Sequence, residues 1–129
     1  MILTFTKADF KSSIWYGTKI HTIREDKADR WHEGRTIQFW FGNPRNVKKN
    51  PHEFMKGLCK SVQKIEIDYQ GLKQNGMVIP AVKIEGKYID YHTKIILAVS
   101  DGFDSVHELF EWFNSDFTGK LIHWTDYKY

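Results

Sequence analysis

Three observations predict an α+β fold in a single domain spanning residues 1–129. The chain has 129 residues, enough for one core and too few for two ordinary domains. Short β-branched and aromatic runs recur along it, bounded by glycine, proline and asparagine. Two further segments carry apolar residues at helical spacing. Together these predict five to six mostly antiparallel strands, in a twisted or closed sheet, flanked by two to three helices.

Residues 2–6 read as a short strand. Thr6-Lys7-Ala8-Asp9 then resembles a helix start, with Phe10 and Ile14 on one face and Gly17 as the stop. Residues 18–33 are polar and charged, a loop by composition. After Gly34, the run Thr36 to Phe41 predicts a strand, and Gly42 to Pro51 a loop. A longer strand is expected from Leu58 to Asp68, ending in Ile65 and Ile67 at period two. Gly71 to Gly76 reads as a turn region. Val78 to Ile84 and Lys87 to Ile89 pair as a hairpin around Glu85-Gly86. Ile95-Ile96-Leu97-Ala98-Val99 fits either a strand or a short buried helix. Ser105-Val106-His107-Glu108 has capping-box spacing, so Ser105 is the expected N-cap of a helix. Its buried stripe is Val106, Leu109, Phe110 and Phe113. Gly119 separates that helix from a last strand, Leu121 to Trp124.

Composition narrows the class of protein. Hydrophobic residues make up 41% and charged residues 27%, as in soluble globular proteins. Aromatics reach 16%, which serves either core filling or base stacking. Residues 1–60 hold 12 Lys/Arg against 6 Asp/Glu, and residues 61–129 hold 7 against 10. A basic half suits an anionic partner such as a phosphate backbone, or is a solvated surface. Cys59 is the only cysteine, so no intrachain disulfide forms and a reducing compartment is expected. The opening Met1-Ile2-Leu3-Thr4-Phe5-Thr6 is too polar for a signal peptide, and no apolar run is long enough to span a membrane. A soluble, cytoplasmic protein is expected.

Several chemistries lack their motifs. None of His21, His32, His52, His92, His107 and His123 pairs at metal-ligand spacing, and Cys59 has no cysteine partner, so neither metal nor cofactor is expected. There is no Gly-x-Gly-x-x-Gly, no phosphate-binding loop and no Gly-x-Ser-x-Gly elbow. Common nucleotide hydrolysis, hydride transfer and serine-type catalysis lose support.

One cluster carries chemistry. Lys19-x-x-Thr22-x-Arg24 follows a helix stop, where an amine, a hydroxyl and a guanidinium converge if the chain turns and then extends. Burial or a second cation depresses a lysine pKa, and a neutral amine takes a proton from a hydroxyl. Alternatively, both cations hold a phosphate or carbonyl oxygen, or the segment is a solvated loop.

Gly17-Thr18-Lys19-Ile20-His21-Thr22-Ile23-Arg24, followed by Gly34-x-x-Ile37-x-Phe39, resembles the ASCH family of the PUA-like superfamily. Asp101-Gly102-Phe103-Asp104-Ser105 resembles the family's acidic-Gly-Phe step into a helix. Ile122-His123-Trp124 resembles the last barrel strand of small stand-alone members from bacteria and phages. The resemblance implies a PUA-like β-barrel with a pocket between barrel and helices. Some members are amidohydrolases that deacetylate N4-acetylcytidine; others are thought to be RNA-binding or coactivator-associated modules.

Carried over by position, the resemblance implies Lys19, Thr22 and Asp101 as working groups, with Arg24 assisting. The family carboxylate is a glutamate, and Asp101 is one methylene shorter. A shift of about 1 Å can cost roughly 100-fold in rate. Asp101 is also placed to be a helix-entry residue favoured by the dipole. Trp31 or Phe103 stacks on a base or fills the core. The alternative is a non-catalytic RNA-binding module in which the same cations hold a phosphate or base edge. Arg45, Lys48 and Lys49 then extend a basic track for single-stranded or structured RNA. An accessory role toward another protein has no direct support. The sequence specifies neither substrate nor oligomeric state, and leaves the segment from Gly71 to Thr93 longer than a minimal barrel needs.

Overall fold

Among the described residues, eight strands form two sheets, and three α-helices close over them. The computed structural model describes residues 1–74 and 77–129. In chain order the elements are β1 (Ile2–Phe5), α1 (Ala8–Trp15), β2 (His21–Arg24), β3 (Thr36–Phe41), β4 (His52–Leu58) and β5 (Ser61–Gln74). There follow β6 (Met77–Ile84), β7 (Lys87–Tyr88), α2 (Tyr91–Ser100), α3 (Val106–Trp112) and β8 (Phe117–His123).

The smaller sheet has order β1-β3-β4, with β1 parallel and β4 antiparallel to β3. The larger is antiparallel, in order β2-β8-β5-β6-β7. Leu3, Phe5, Ile37 and Phe39 from the first sheet meet Ile65, Ile67, Val82 and Leu121 from the second in one core. Phe10 and Ile14 of α1, Leu97 and Ala98 of α2, and Leu109 of α3 complete it. The ladders do not close into one barrel. The sheets join at the corner where Cys59 and Lys60 lead from β4 into β5, and there the Lys60 N–H donates to the His123 carbonyl at 2.8 Å. At the opposite side β1 and β2 are both free edges.

Several elements form where the sequence places them. These are the first strand, α1 with Phe10 and Ile14 buried, β3, and the hairpin around Glu85-Gly86. Ser105 caps α3, its hydroxyl accepting the Glu108 N–H at 3.2 Å. Phe113 is the C-cap rather than a fully buried member of the stripe, and it packs on Phe117 at 5.1 Å between ring centroids.

Other expectations are corrected. Part of the 18–33 loop is β2: its polar residues form a strand because β8 supplies a complete antiparallel partner, His21 to His123 through Arg24 to Lys120. The strand expected over 58–68 is two strands broken at Cys59-Lys60, where the Cys59 N–H turns to the Arg35 carbonyl. β5 runs through the expected turn as far as Gln74, while positions 75 and 76 lie outside the described residues. The ambiguous 93–99 run is helix. Asp90 caps α2 by accepting from the Thr93 N–H at 2.8 Å, and Lys94, Leu97 and Ala98 are buried along one side. Among the described residues no helix is long and apolar enough to cross a membrane.

Gly119 does not precede the last strand but sits inside it. A Cβ there would lie 2.5 Å from the Arg24 carbonyl and 2.6 Å from the Phe117 ring. Only a residue without a side chain allows β8 to pass β2 at this point. Gly119→Ala is expected to destabilise the fold by about 1–3 kcal/mol through forced displacement of β2, measured as a lower urea midpoint.

Candidate functional site: a buried lysine at the open edge between the sheets

The pocket lies where the two sheets fail to pair. The Arg24 guanidinium reaches from β2 to the Thr4 carbonyl of β1 at 2.6 Å, so a side chain replaces the missing ladder bond. The cavity measures about 230 Å³. Its lining includes Thr4 and Phe5 of β1, Phe10 of α1, and Lys19, Thr22 and Arg24. Asp101, Phe103 and Trp112 complete it from the helical side.

Lys19 enters this pocket because α1 stops. The N–H groups of Thr18 and Lys19 both turn back to the Ser13 carbonyl, and Ile20 is tied to Ser100 across the fold. The side chain is fully buried. Its Nζ donates to the Asp101 main-chain carbonyl at 2.5 Å and stands 3.5 Å from the Asp101 carboxylate. Phe10 presents its ring to the ammonium, with the centroid 4.4 Å away. Burial pulls the Lys19 pKa down to about 8; Asp101 opposes this, and Arg24 and Lys7 add to it. The neutral amine is therefore reached at lower pH than in a solvated lysine.

Gly102 permits this approach. It has φ +92°, and a Cβ would lie 2.9 Å from the Phe10 ring and 3.0 Å from the Lys19 stem. The acidic-Gly-Phe step therefore delivers Asp101 to Lys19 and puts Phe103 into the pocket wall, with its ring 5.5 Å from that of Phe10.

Asp101 is not a helix-entry residue. It is the C-cap of α2, where the helix dipole disfavours a carboxylate, and its compensation comes from side chains. Its Oδ1 accepts from His21 Nδ1 at 2.8 Å. With that nitrogen donating, His21 Nε2 is left to accept the Tyr129 hydroxyl proton at 2.7 Å. Burial pushes the Tyr129 phenol well above its ordinary range, which keeps that proton in place. Behind His21, the His123 Nε2–H donates to Gln63 Oε1 at 2.9 Å, and the Gln63 amide nitrogen donates to the Tyr129 carbonyl at 2.8 Å. His123 Nδ1 is buried without a partner, and desolvation lowers the His123 pKa to about 4.

Thr22 lines the same pocket, but its hydroxyl accepts from Arg24 Nε at 3.2 Å, and no hydrogen bond joins it to Lys19. Lys19, Thr22, Arg24, Asp101 and Phe103 thus share one cavity. Trp31 does not: it is buried in the core and outside the pocket lining, while its N–H donates to Asp26. Arg45, Lys48 and Lys49 are exposed on the β3–β4 connection and do not line the pocket. The residues overlooked from sequence are His21, Tyr129 and Trp112. Trp112 is 54% exposed and stands at the pocket, off the buried stripe of α3, and that position was its only signal. His21 shows itself only through the β2–β8 register, which faces it to His123. Among the described residues no group of three His, Cys, Asp or Glu is placed to hold a metal ion.

Two pH windows follow. The folded His123 takes its proton near pH 4 and an unfolded histidine near 6.5, so stability falls as pH drops through that interval, by about 3 kcal/mol in all. His123→Asn should flatten this part of a plot of urea midpoint against pH. Lys19 acts at the other end. Its folded pKa near 8 lies below the unfolded value of 10.5, so stability rises from pH 8 upward until the retained Tyr129 proton opposes it above about pH 10. In comparisons with protein families, curated proteins and solved structures, none matches this chain.

Proposed function

We propose that the protein is an ASCH-type, PUA-like protein that takes a nucleoside into this pocket and hydrolyses an amide on its base, N4-acylated cytidine being the substrate class. The observation that carries the reading is Lys19: a fully buried amine, its pKa lowered to about 8, on a pocket wall shared with Thr22, Arg24 and Asp101. In this reading β1, β3, β4, β5, β8 and β2 form an opened six-stranded barrel, and β6–β7 is the added part. The cavity is below the ~300–1,000 Å³ usual for drug-sized ligands, so it suits one modified base rather than a large cofactor. A reducing, cytoplasmic setting fits the buried free thiol of Cys59.

The chemistry assigns each group a role. The neutral Lys19 amine accepts a proton from the Thr22 hydroxyl or from a water beside it. The oxygen so activated adds to the acyl carbonyl. Arg24 holds the developing oxyanion. Lys19 returns the proton to the departing exocyclic nitrogen. If Thr22 is the nucleophile, water then cleaves the threonyl ester. Asp101, anchored by His21, positions the Lys19 amine, and Trp112 stacks on the base at the pocket mouth.

The non-catalytic alternative is an RNA-binding cleft. It is favoured by one observation: Thr22 is engaged by Arg24 and not by Lys19. Incubation with N4-acetylcytidine separates the two. The hydrolase should release acetate with a kcat/KM that rises through an inflection near pH 8. Thr22→Val and Lys19→Met should each lower it by at least about 100-fold. No acetate release across N4-acyl cytidines, or turnover indifferent to both substitutions, overturns the catalytic reading.

A further inference from the structure

α1 has two working faces. Phe10 and Ile14 point inward, and Phe10 forms part of the pocket wall. Lys11, Ser12, Trp15 and Tyr16 instead line an outer groove of about 510 Å³ together with Phe54 of β4. Trp15 is 63% and Tyr16 81% exposed, two adjacent large rings left in water at the end of a short helix.

The groove is held rather than loose. Lys11 Nζ donates to His52 Nε2 at 2.8 Å and lies 5.9 Å from the ring centroids of both Phe41 and Phe54. With Nε2 accepting, His52 Nδ1 donates to the Asn50 carbonyl at 3.1 Å. Asn50 closes the one-turn 3-10 helix Val47–Lys49, so this chain of bonds ties the groove to the basic connection. Arg45, Lys48 and Lys49 are all exposed there, and none makes an ion pair among the described residues. Between residues 42 and 60 there are five Lys/Arg and a single acidic residue, Glu53. Glu53 itself lies 4.0 Å from Lys56.

We propose that this outer face of α1, with the β3–β4 connection, is a binding platform for single-stranded nucleic acid. Bases stack on Trp15 and Tyr16, and the backbone phosphates lie along Lys48, Lys49 and Arg45. Exposed planar rings, tied through Lys11, His52 and Asn50 to a connection with unpaired cations, suit a single strand, because its bases are free to leave their own stack and its charge repeats along the backbone. A duplex hides those faces. The platform is separate from the pocket and does not rest on the hydrolytic reading. It moves nucleic-acid contact from the cleft to the opposite face of α1.

Fluorescence anisotropy of the full chain with labelled oligouridylate, oligodeoxythymidylate and a duplex tests it over a range of salt. Single strands should bind and the duplex should bind less. Trp15→Ala and Tyr16→Ala should each weaken binding about tenfold without changing the salt slope. Lys48→Ala and Lys49→Ala should each reduce the slope by about 0.7. Retention of the uridylate alone assigns the strand to RNA, and equal binding of both sugars assigns it to either; both support the platform. Duplex preference, or binding abolished by Arg24→Ala yet indifferent to Trp15→Ala and Tyr16→Ala, overturns it. So does a dimer in sedimentation that the Trp15 and Tyr16 variants lose while oligonucleotides fail to bind. Trp15, Tyr16, Lys48 and Lys49 all lie outside the pocket, so turnover of free N4-acetylcytidine is unchanged by their four substitutions if the protein hydrolyses it. Loss of one reading therefore leaves the other standing.

Discussion

The fold is organised around two ionisable groups buried at the pocket wall. Lys19 and Asp101 stand side by side in the interior, and neither is stable there without a dense set of partners. The ammonium has a main-chain carbonyl and the faces of aromatic rings; the carboxylate has His21. These partners come from the segment after α1, from β2 and from the end of α2. Satisfying one pair of charges thus fixes how three distant parts of the chain meet. A buried pair of this kind contributes little net stability, while removing one partner strands the other charge in the interior.

The surroundings divide into rigid and adaptable parts. β2 is backed by β8 and β5, and Gly119 lets two of these strands approach more closely than any side chain would permit. That support keeps Thr22 and Arg24 in register. On the other side the pocket is bounded by rings from α1, the α2–α3 turn and α3, which meet edge to face or tilted. The same short helix carries one of those rings inward and two exposed rings outward. Two surfaces of different character therefore share one scaffold.

Much of this was legible from the residues, for identifiable reasons. The Ser105 cap, the β3 run and the Glu85-Gly86 hairpin are local signals, complete within a few residues, and the structure contains them. Lys19, Thr22, Arg24 and Asp101 share a pocket. β2 was illegible because His21 and Arg24 lack strand character; only the pairing with β8 makes them one. The sequence places Asp101 at the entry to α3, whereas it caps the end of α2, whose apolar run fits strand and helix equally. His21 and Tyr129 are 108 residues apart, and no local pattern announces that they share a proton. Trp31, which suits stacking or core from sequence, is core, with its backbone N–H held by Asp26.

The unpaired edges of β1 and β2 have an evolutionary consequence. Elsewhere strand spacing is locked by backbone hydrogen bonds, which tolerate no change in width. Across this seam the separation is held by side chains alone, chiefly Arg24 on Thr4. Substitutions at Thr4, Phe103 or Trp112 can therefore widen, narrow or recolour the cavity while every ladder stays intact. The shape and lining of the cavity can thus change by a few residues while the core and the buried charges stay as they are.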